Sequence, residues 1–372
     1  MPAGSRLRPE PMSRAFLSSR LYNDPEIAAR ERRRYATRLW HPVAASCGLP
    51  AGHILATQLL DLPLLLSRQD GVLRAFLNRC PHRGMPFADP ADGPRACRRL
   101  VCPYHGWTYD LQGRLRAAAR EDEFLEPFNR ADWPLQPLPC RELAGLIWVA
   151  AGERPLPLED QLDLLIQEGG ALLEVPRRLL RRSASSLHCN WKVAHDNTLD
   201  DYHVAIAHPL TLHREQGPVR HYRHAFSEHG SLLATPWGGG EFLTFGLAPW
   251  THLLLWPDGR MVLLQFPPIA VDRCAMDVWL LGGNAHEAGA DAWLEELNRF
   301  LEEDRRLVEG AQQGYASGLV PGPAHRLERR ILQQQALYSR LMGSAALDGL
   351  ALERAQEAEV VPGLAASGSR AP

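Results

Sequence analysis

Two short loops restrict this chain more than anything else in it: Cys80-Pro81-His82-Arg83-Gly84 and Cys102-Pro103-Tyr104-His105-Gly106-Trp107. They read C-x-H and, further on, C-x-x-H, and together present two thiolates and two imidazoles. A 2Fe-2S centre with two Cys on one iron and two His on the other takes that set. A tetrahedral structural zinc also takes two Cys and two His. Zinc fingers place Cys near Cys and His near His, whereas here each loop carries one of each. That alternation favours iron and sulfur.

The rest of the chain has room for a second site, because 372 residues exceed one average domain and leave space for two. A formal charge of −2 gives no electrostatic reason to expect nucleic acid or an anionic membrane as partner. Lys192 is the only lysine, which reads as coding bias and not as chemistry. Of the seven Cys, Cys80 and Cys102 belong to the loops, and Cys47, Cys97, Cys140, Cys189 and Cys274 are scattered. Such spacing is no disulfide framework, so a reducing cytoplasm is the expected location. Cys97 lies near the second loop but lacks a His three residues on, and is read as an inert thiol. The start, with basic residues and no apolar run behind them, predicts no signal peptide. No segment approaches eighteen uninterrupted apolar residues, so no membrane span is expected.

Residues 1–39 read as an arm followed by a charged helix, with Asp24 as N-cap and Pro25 at the first helical position. Residues 40–151 change to short strands and turns. Leu64–Arg68 and Val72–Phe76 flank Gln69-Asp70-Gly71, a hairpin signal. Leu111-Gln112-Gly113-Arg114 marks another turn, and Leu146–Ala150 an apolar closing strand. The two ligand loops therefore project from a small all-β unit. Residues 152–160 read as a hinge, and 161–342 as a larger α+β domain. Strand-like runs fall at Phe242–Phe245, His252–Trp256, Met261–Phe266 and Ala275–Leu281. Helices are predicted at about 291–316 and 326–342, and 343–372 reads as a flexible tail.

A second constellation lies in Asn190–Pro209. On a helix, Asp200 and His203 share a face. His203 and His208 stand about 140° apart round an ideal helix, so their imidazoles converge only if it ends or distorts near His208. Pro209 supplies a reason for the ending. A third ligand can be sought by periodicity. Trp293, Leu294, Leu297, Phe300, Leu301, Leu307, Val308 and Ala311 form an apolar stripe, and Asp304 falls within it, while Glu302, Glu303, Arg305, Arg306 and Glu309 lie mostly elsewhere. A carboxylate in such a stripe is protonated, paired or bound to metal. His203, His208 and Asp304 would form a 2-His-1-carboxylate triad that leaves positions open on Fe(II) for dioxygen. An Arg partner for Asp304 is the competing reading.

The loop sequences CPHRG and CPYHGW resemble the Rieske domain of the alpha subunits of Rieske non-haem iron oxygenases, the ring-hydroxylating oxygenase family. Respiratory Rieske proteins carry an additional, disulfide-forming Cys in each loop, where this chain has Met85 and Tyr104. Asn-Trp-Lys followed by Asp-Asn, and then Asp-x-Tyr-His-x4-His-Pro, resembles the catalytic helix of the same subunits, and Glu303-Asp304 their third-ligand segment. The resemblance covers roughly residues 20–320. It implies an α+β protein: a small all-β Rieske domain plus a helix-grip catalytic domain, in which an antiparallel sheet wraps on a long helix. It further implies a Rieske 2Fe-2S cluster on Cys80, His82, Cys102 and His105, and a mononuclear Fe(II) on His203, His208 and Asp304. Asp200 would link His203 to a cluster-ligating His, by similarity His105, of a neighbouring subunit in a homotrimer, and Asn197 would sit near iron or substrate. Asp201 departs from the usual small or apolar residue, which puts in question which of the two carboxylates bridges; spacing favours Asp200.

Electrons would have to come from outside. No G-x-G-x-x-G follows a strand, Gly238-Gly239-Gly240 does not match one, and there is no plant-type ferredoxin spacing. A separate NAD(P)H-dependent reductase, with or without a ferredoxin, is therefore the expected partner. Trp237, Phe242, Phe245, Trp250, Trp256 and Phe266 are expected to wall a pocket for a small organic substrate, by stacking on a ring or by cation–π attraction to an ammonium group. Hydroxylation of an aromatic compound is the first expectation, since most relatives are named for it. Demethylation of a quaternary ammonium or other methylated compound is the alternative, and a Rieske electron carrier the non-enzymatic one.

Overall fold

The Asp70-Gly71 pair turns the chain with both residues at positive φ, 53° and 74°, the twist that suits a two-residue hairpin. It joins Leu62–Gln69 to Val72–Leu77, paired from Gln69 opposite Val72 to Leu64 opposite Leu77. The structure, a computed structural model, describes residues 16–319 and 321–343. The first part of the expected arm, residues 1–15, and the expected tail, 344–372, lie outside the described residues. Two units are present, residues 35–158 and residues 16–34 with 159–343. The division falls within the first helix, Pro25–Arg38.

The first unit is all β beyond that helix. Its hairpin belongs to a five-stranded sheet that includes His53–Leu59, Arg95–Ala96 and Pro137–Leu138. A three-stranded sheet joins His41–Ala45, Leu146–Val149 and Cys140–Leu143. Another joins Leu100–Val101, Thr108–Tyr109 and Leu115–Ala117. One apolar cluster, with Leu64, Leu66, Ile147 and Val149, fills the space between the first two sheets' strands. A separate one, with Leu65, Phe76, Leu100, Trp107, Leu111 and Leu135, contains Cys80 and Cys102.

The second unit is built on an eight-stranded antiparallel sheet. Its path runs Arg178–Leu187, Arg273–Gly282, Met261–Gln265, Thr251–Leu255, Gly240–Leu247, Gly230–Trp237, Arg223–Phe226, with Pro268–Ala270 pairing the second of these. Four of these strands coincide with the expected runs. Arg178–Leu187 and Gly230–Trp237 were not recognised, since Arg and Ser on one and Gly and Pro on the other mask their alternation.

The long helix Ala290–Ala316 crosses this sheet, burying Trp293, Leu297, Leu301 and Val308. Its stripe departs from expectation at the end: Leu307 is exposed, as is Ala311, while Gln312 is buried. Gln312 is drawn inward by hydrogen bonds, accepting from the Asn190 N–H at 2.8 Å and donating to Asn23 at 3.0 Å. Among the described residues no helix is long and apolar enough to cross a membrane.

Candidate metal centres

The two ligand loops of the first unit share one backbone design. In each, the Cys N–H donates to the carbonyl five residues on, Cys80 to Met85 and Cys102 to Trp107, both at 2.8 Å. The Gly four residues on donates back to the Cys carbonyl, Gly84 at 2.8 Å and Gly106 at 3.0 Å. Closing the loop so tightly needs φ of 78° and 71°, which glycine adopts without a Cβ penalty. The repeated turn buries both cysteines, while His82 is exposed and His105 half-buried. His82 stacks on Trp107 (5.0 Å, 4°) and meets His105 edge-on at 4.5 Å.

These groups fit a cluster with its sulfur ligands inside and its imidazoles facing out. Burial, with the neighbouring Cys102, pushes the Cys80 thiol above its ordinary range, so thiolates there call for a metal's positive charge. His105 Nδ1 is buried with no hydrogen-bond partner. Cys97 instead donates its thiol to the Arg99 carbonyl at 3.0 Å, and no disulfide occurs among the described residues.

In the second unit, Asn190 caps the helix Trp191–Leu199 by accepting the Lys192 N–H at 3.0 Å. The helix was expected to distort near His208, but it ends earlier, with Asp200 in an extended conformation. The Asp200 carboxylate competes for the backbone, accepting from the N–H of Tyr202 (2.7 Å) and of His203 (3.3 Å). A short second helix, Val204–Ala207, then follows, with His203 and His208 at its two ends. The imidazoles converge because the chain breaks before the first of them.

Their Nε2 atoms lie 3.2 Å apart. Asp304 Oδ1 is 2.9 Å from that of His208 and 3.4 Å from that of His203, so three ligand atoms gather within 4.8 Å. The outer nitrogens are also placed. His208 Nδ1 lies 2.7 Å from Glu303 Oε2, which also accepts from Thr211 Oγ1 at 2.7 Å. His203 Nδ1 faces Asp200 Oδ2 at 3.6 Å, an ion-pair distance. Asn197 donates Nδ2–H to Asp304 Oδ1 at 2.8 Å. Burial opposes a charge on His203, yet Asp200 and Asp304 outweigh it and lift its pKa to about 10. Two imidazole nitrogens and a carboxylate oxygen aimed at one point, with carboxylates holding the far side of both rings, suit a divalent cation.

Glu303 and Thr211 were not foreseen as part of this site. Glu303 lies next to Asp304 but off the apolar stripe, so only its approach to His208, 95 residues away in sequence, reveals it. Asp201 is turned away from the imidazoles and buried, bonded to Arg330 at 3.0 Å and His224 at 2.8 Å.

An apolar cavity lies between sheet and long helix, lined at one end by His203 and Asp304. Thr244, Leu254, Val262 and Leu264 line it from the sheet, and Leu297, Phe300 and Leu301 from the helix. Of the six expected aromatic residues only Phe242 reaches it. Phe245, Trp250, Trp256 and Phe266 are core: Trp250 packs on Trp191 and Trp256 on Phe242 and Trp293.

Residues 39–131 match the family model of the Rieske [2Fe-2S] domain, and residues 176–237 that of the ring hydroxylating alpha subunit catalytic domain. The chain belongs to the Rieske non-haem iron oxygenases, enzymes that use dioxygen, and its cofactors are a Rieske 2Fe-2S cluster and a mononuclear iron. Within that family it is 34% identical over 364 residues to the glycine betaine monooxygenase oxygenase subunit of Chromohalobacter salexigens, covering 82% of this chain and 80% of that one. It is 29% identical over 318 residues to the carnitine monooxygenase oxygenase subunit of Acinetobacter baumannii, covering 80% and 84%. The structure of a quaternary ammonium Rieske monooxygenase with L-carnitine bound superposes with a TM-score of 0.76 at 25% identity, covering 88% and 96%. These relatives are monooxygenases named for glycine betaine, carnitine or quaternary ammonium compounds, which backs the alternative reading better than the first expectation of an aromatic substrate.

Proposed function

We propose that this protein is the terminal oxygenase of a monooxygenase that hydroxylates a carbon beside the nitrogen of a quaternary ammonium compound. The 34% identity to a glycine betaine oxygenase subunit over four-fifths of both chains carries this reading. The cavity agrees with it. Its lining contains no Lys or Arg to pair the carboxylate of an aromatic acid, and since Asp201 is paired with Arg330 and Asp304 is given to the metal, what favours an ammonium compound is the absence of a cationic side chain that would repel it.

In this reading His203, His208 and Asp304 hold Fe(II), and Cys80, His82, Cys102 and His105 hold the cluster. When bound, the cluster supplies single electrons and the iron a site with open positions for dioxygen. The chain's own side chains do the rest. Glu303 fixes the His208 ring through Nδ1, and Asn197 holds the Asp304 carboxylate. Leu254, Val262, Leu264, Leu297 and Leu301 keep water from the substrate. Asp200, beside His203 and partly exposed, is the carboxylate that links the iron site to the His105 of a neighbouring copy in a trimer. One oxygen atom enters the C–H bond and the other leaves as water, consuming two electrons and two protons. The C–N bond of the resulting carbinol then breaks, its electron pair staying on nitrogen and the hydroxyl proton going to water, to give an aldehyde and a tertiary amine. The electrons originate in a separate NAD(P)H-dependent reductase, with or without a ferredoxin.

Oxygen uptake with a surrogate Rieske reductase tests the substrate class. Glycine betaine, carnitine and choline should stimulate uptake, with aldehyde and amine released in equal amounts; benzoate and phthalate should not. Product formation from the aromatic acids alone would overturn the reading.

A further inference from the structure

Next to the cavity, two tryptophans on the same face of the sheet and one on the long helix surround one cation. The guanidinium carbon of Arg260 lies 5.4 Å from the Trp237 ring centre, 5.2 Å from that of Trp256 and 5.2 Å from that of Trp293. Trp256 and Trp293 stand edge to face at 89°, as two walls of a box. Arg260 sits on the turn after Trp256 and pairs with Asp258 of the same turn, Nε to Oδ2 at 2.9 Å.

Strand register places this box against the cavity. Thr244, Leu254 and Val262 are cross-strand partners in one row and all line the cavity. Two residues along each strand, on the same face, come Phe242, Trp256 and Arg260. Phe242 lines the cavity and packs on Trp256 with ring centres 4.5 Å apart. The long helix repeats the order: Trp293 at the box, Leu297 and Leu301 at the cavity, Asp304 at the metal ligands, about 16 Å along the axis from first to last.

Faces of aromatic rings arranged about a cation are the chemistry that recognises a methylated ammonium. Here a protein side chain occupies them. Arg260 has a flexible stem and is 23% exposed, so it can swing out toward water without unpacking the core. Asp258 would remain beside the vacated faces.

We propose that the Trp237, Trp256 and Trp293 box is a second binding station for methylated ammonium ions, plugged by Arg260 until such an ion displaces it. The station rests on the substrate class proposed above for its physiological ligand. An ammonium compound exchanges with the guanidinium at the ring faces, and Phe242 separates that position from the metal ligands.

Equilibrium dialysis of radiolabelled tetramethylammonium against the metal-loaded protein, without reductant, tests this. Arg260→Ala should bind at least about fivefold more tightly than the unaltered protein, the scale of a cation–π contact. Adding Trp237→Leu, at a half-buried position, should remove that gain. The neutral alcohol 3,3-dimethylbutan-1-ol should not compete. Arg260→Gln provides the same comparison if the alanine variant fails to fold, with the visible spectrum of the cluster as the check on folding. No gain in either Arg260 variant, a gain that survives Trp237→Leu, or equal competition by the alcohol overturns the station. If the tryptophan-dependent gain is present but no ammonium compound is oxidised, the station stands and the substrate assignment falls. If ammonium compounds are oxidised and the gain is absent, the station alone falls.

Discussion

Asp196 is a carboxylate surrounded by neutral donors. It accepts from Tyr22 Oη at 2.7 Å and from Gln335 Nε2 at 3.3 Å. The nearby Lys192 ammonium is already held by Glu31, at 2.7 and 2.9 Å. Burial outweighs these donors, and with the charge of Asp200 it pushes the Asp196 pKa from 3.8 to about 7. Between those values the folded chain keeps a proton that the unfolded chain has lost, so the contribution of this group to stability is full below pH 4 and is lost as pH rises to 7. A tenfold change in proton affinity is worth about 1.4 kcal/mol, and partial access to water lowers the total, so a decline of about 2 kcal/mol is expected. Asp196→Asn keeps the acceptor for Tyr22 and should abolish the decline, read by urea unfolding at pH 4.5 and 7.5. Glu303 acts on its neighbour differently, by orienting His208. Glu303→Ala should weaken Fe(II) binding by about 10- to 100-fold in chelator competition and leave the cluster spectrum unchanged.

The segment from Asn190 to His208 depends on a distant element for its shape. Arg330, on the helix Arg329–Met342, is buried and bonds Asp201 at 3.0 Å and the Thr244 carbonyl at 3.0 Å. Together with the Asp201 N–H to Leu327 carbonyl bond, it anchors the chain where the catalytic helix stops. Arg330→Met leaves the buried Asp201 carboxylate with His224 as its remaining side-chain partner and should cost about 3–5 kcal/mol in denaturant unfolding. Adding Asp201→Leu should restore most of that loss, because both charges are then gone. The sequence pattern located the long helix and Asp304 correctly, since a 3.6-residue period can be counted. It mistook the place of the break: Asp200 ends the helix by bonding the N–H groups of Tyr202 and His203, and the Asp201–Arg330 pair that anchors the segment joins residues 129 apart. It also overestimated the aromatic lining of the cavity. Alternation tells which face a residue takes but not how far along that face the cavity extends.

In the proposed function electrons pass from one kind of site to the other, and the first unit has a surface from which a bound cluster could give them up. Both cysteines are inside while His82 is exposed, so a cluster held there would present its imidazole edge to a partner. Asp200 is proposed to receive that edge from a neighbouring copy. Asp200→Asn should retain full iron content and the cluster spectrum yet lower coupled turnover by about 100-fold, with single-turnover cluster oxidation as the direct readout. Unimpaired turnover would remove Asp200 from the path. The groups proposed to hold both metal centres could be picked out in the amino-acid sequence, as could the all-β and α+β character of the units, because thiolates, imidazoles, turns and helical periods are local and carry their chemistry with them. What steadies His208, and which aromatic residues reach the cavity and which gather about Arg260, were settled by folding alone. Those are contacts between residues far apart in the chain, and their partners exist only once sheet and long helix have packed together.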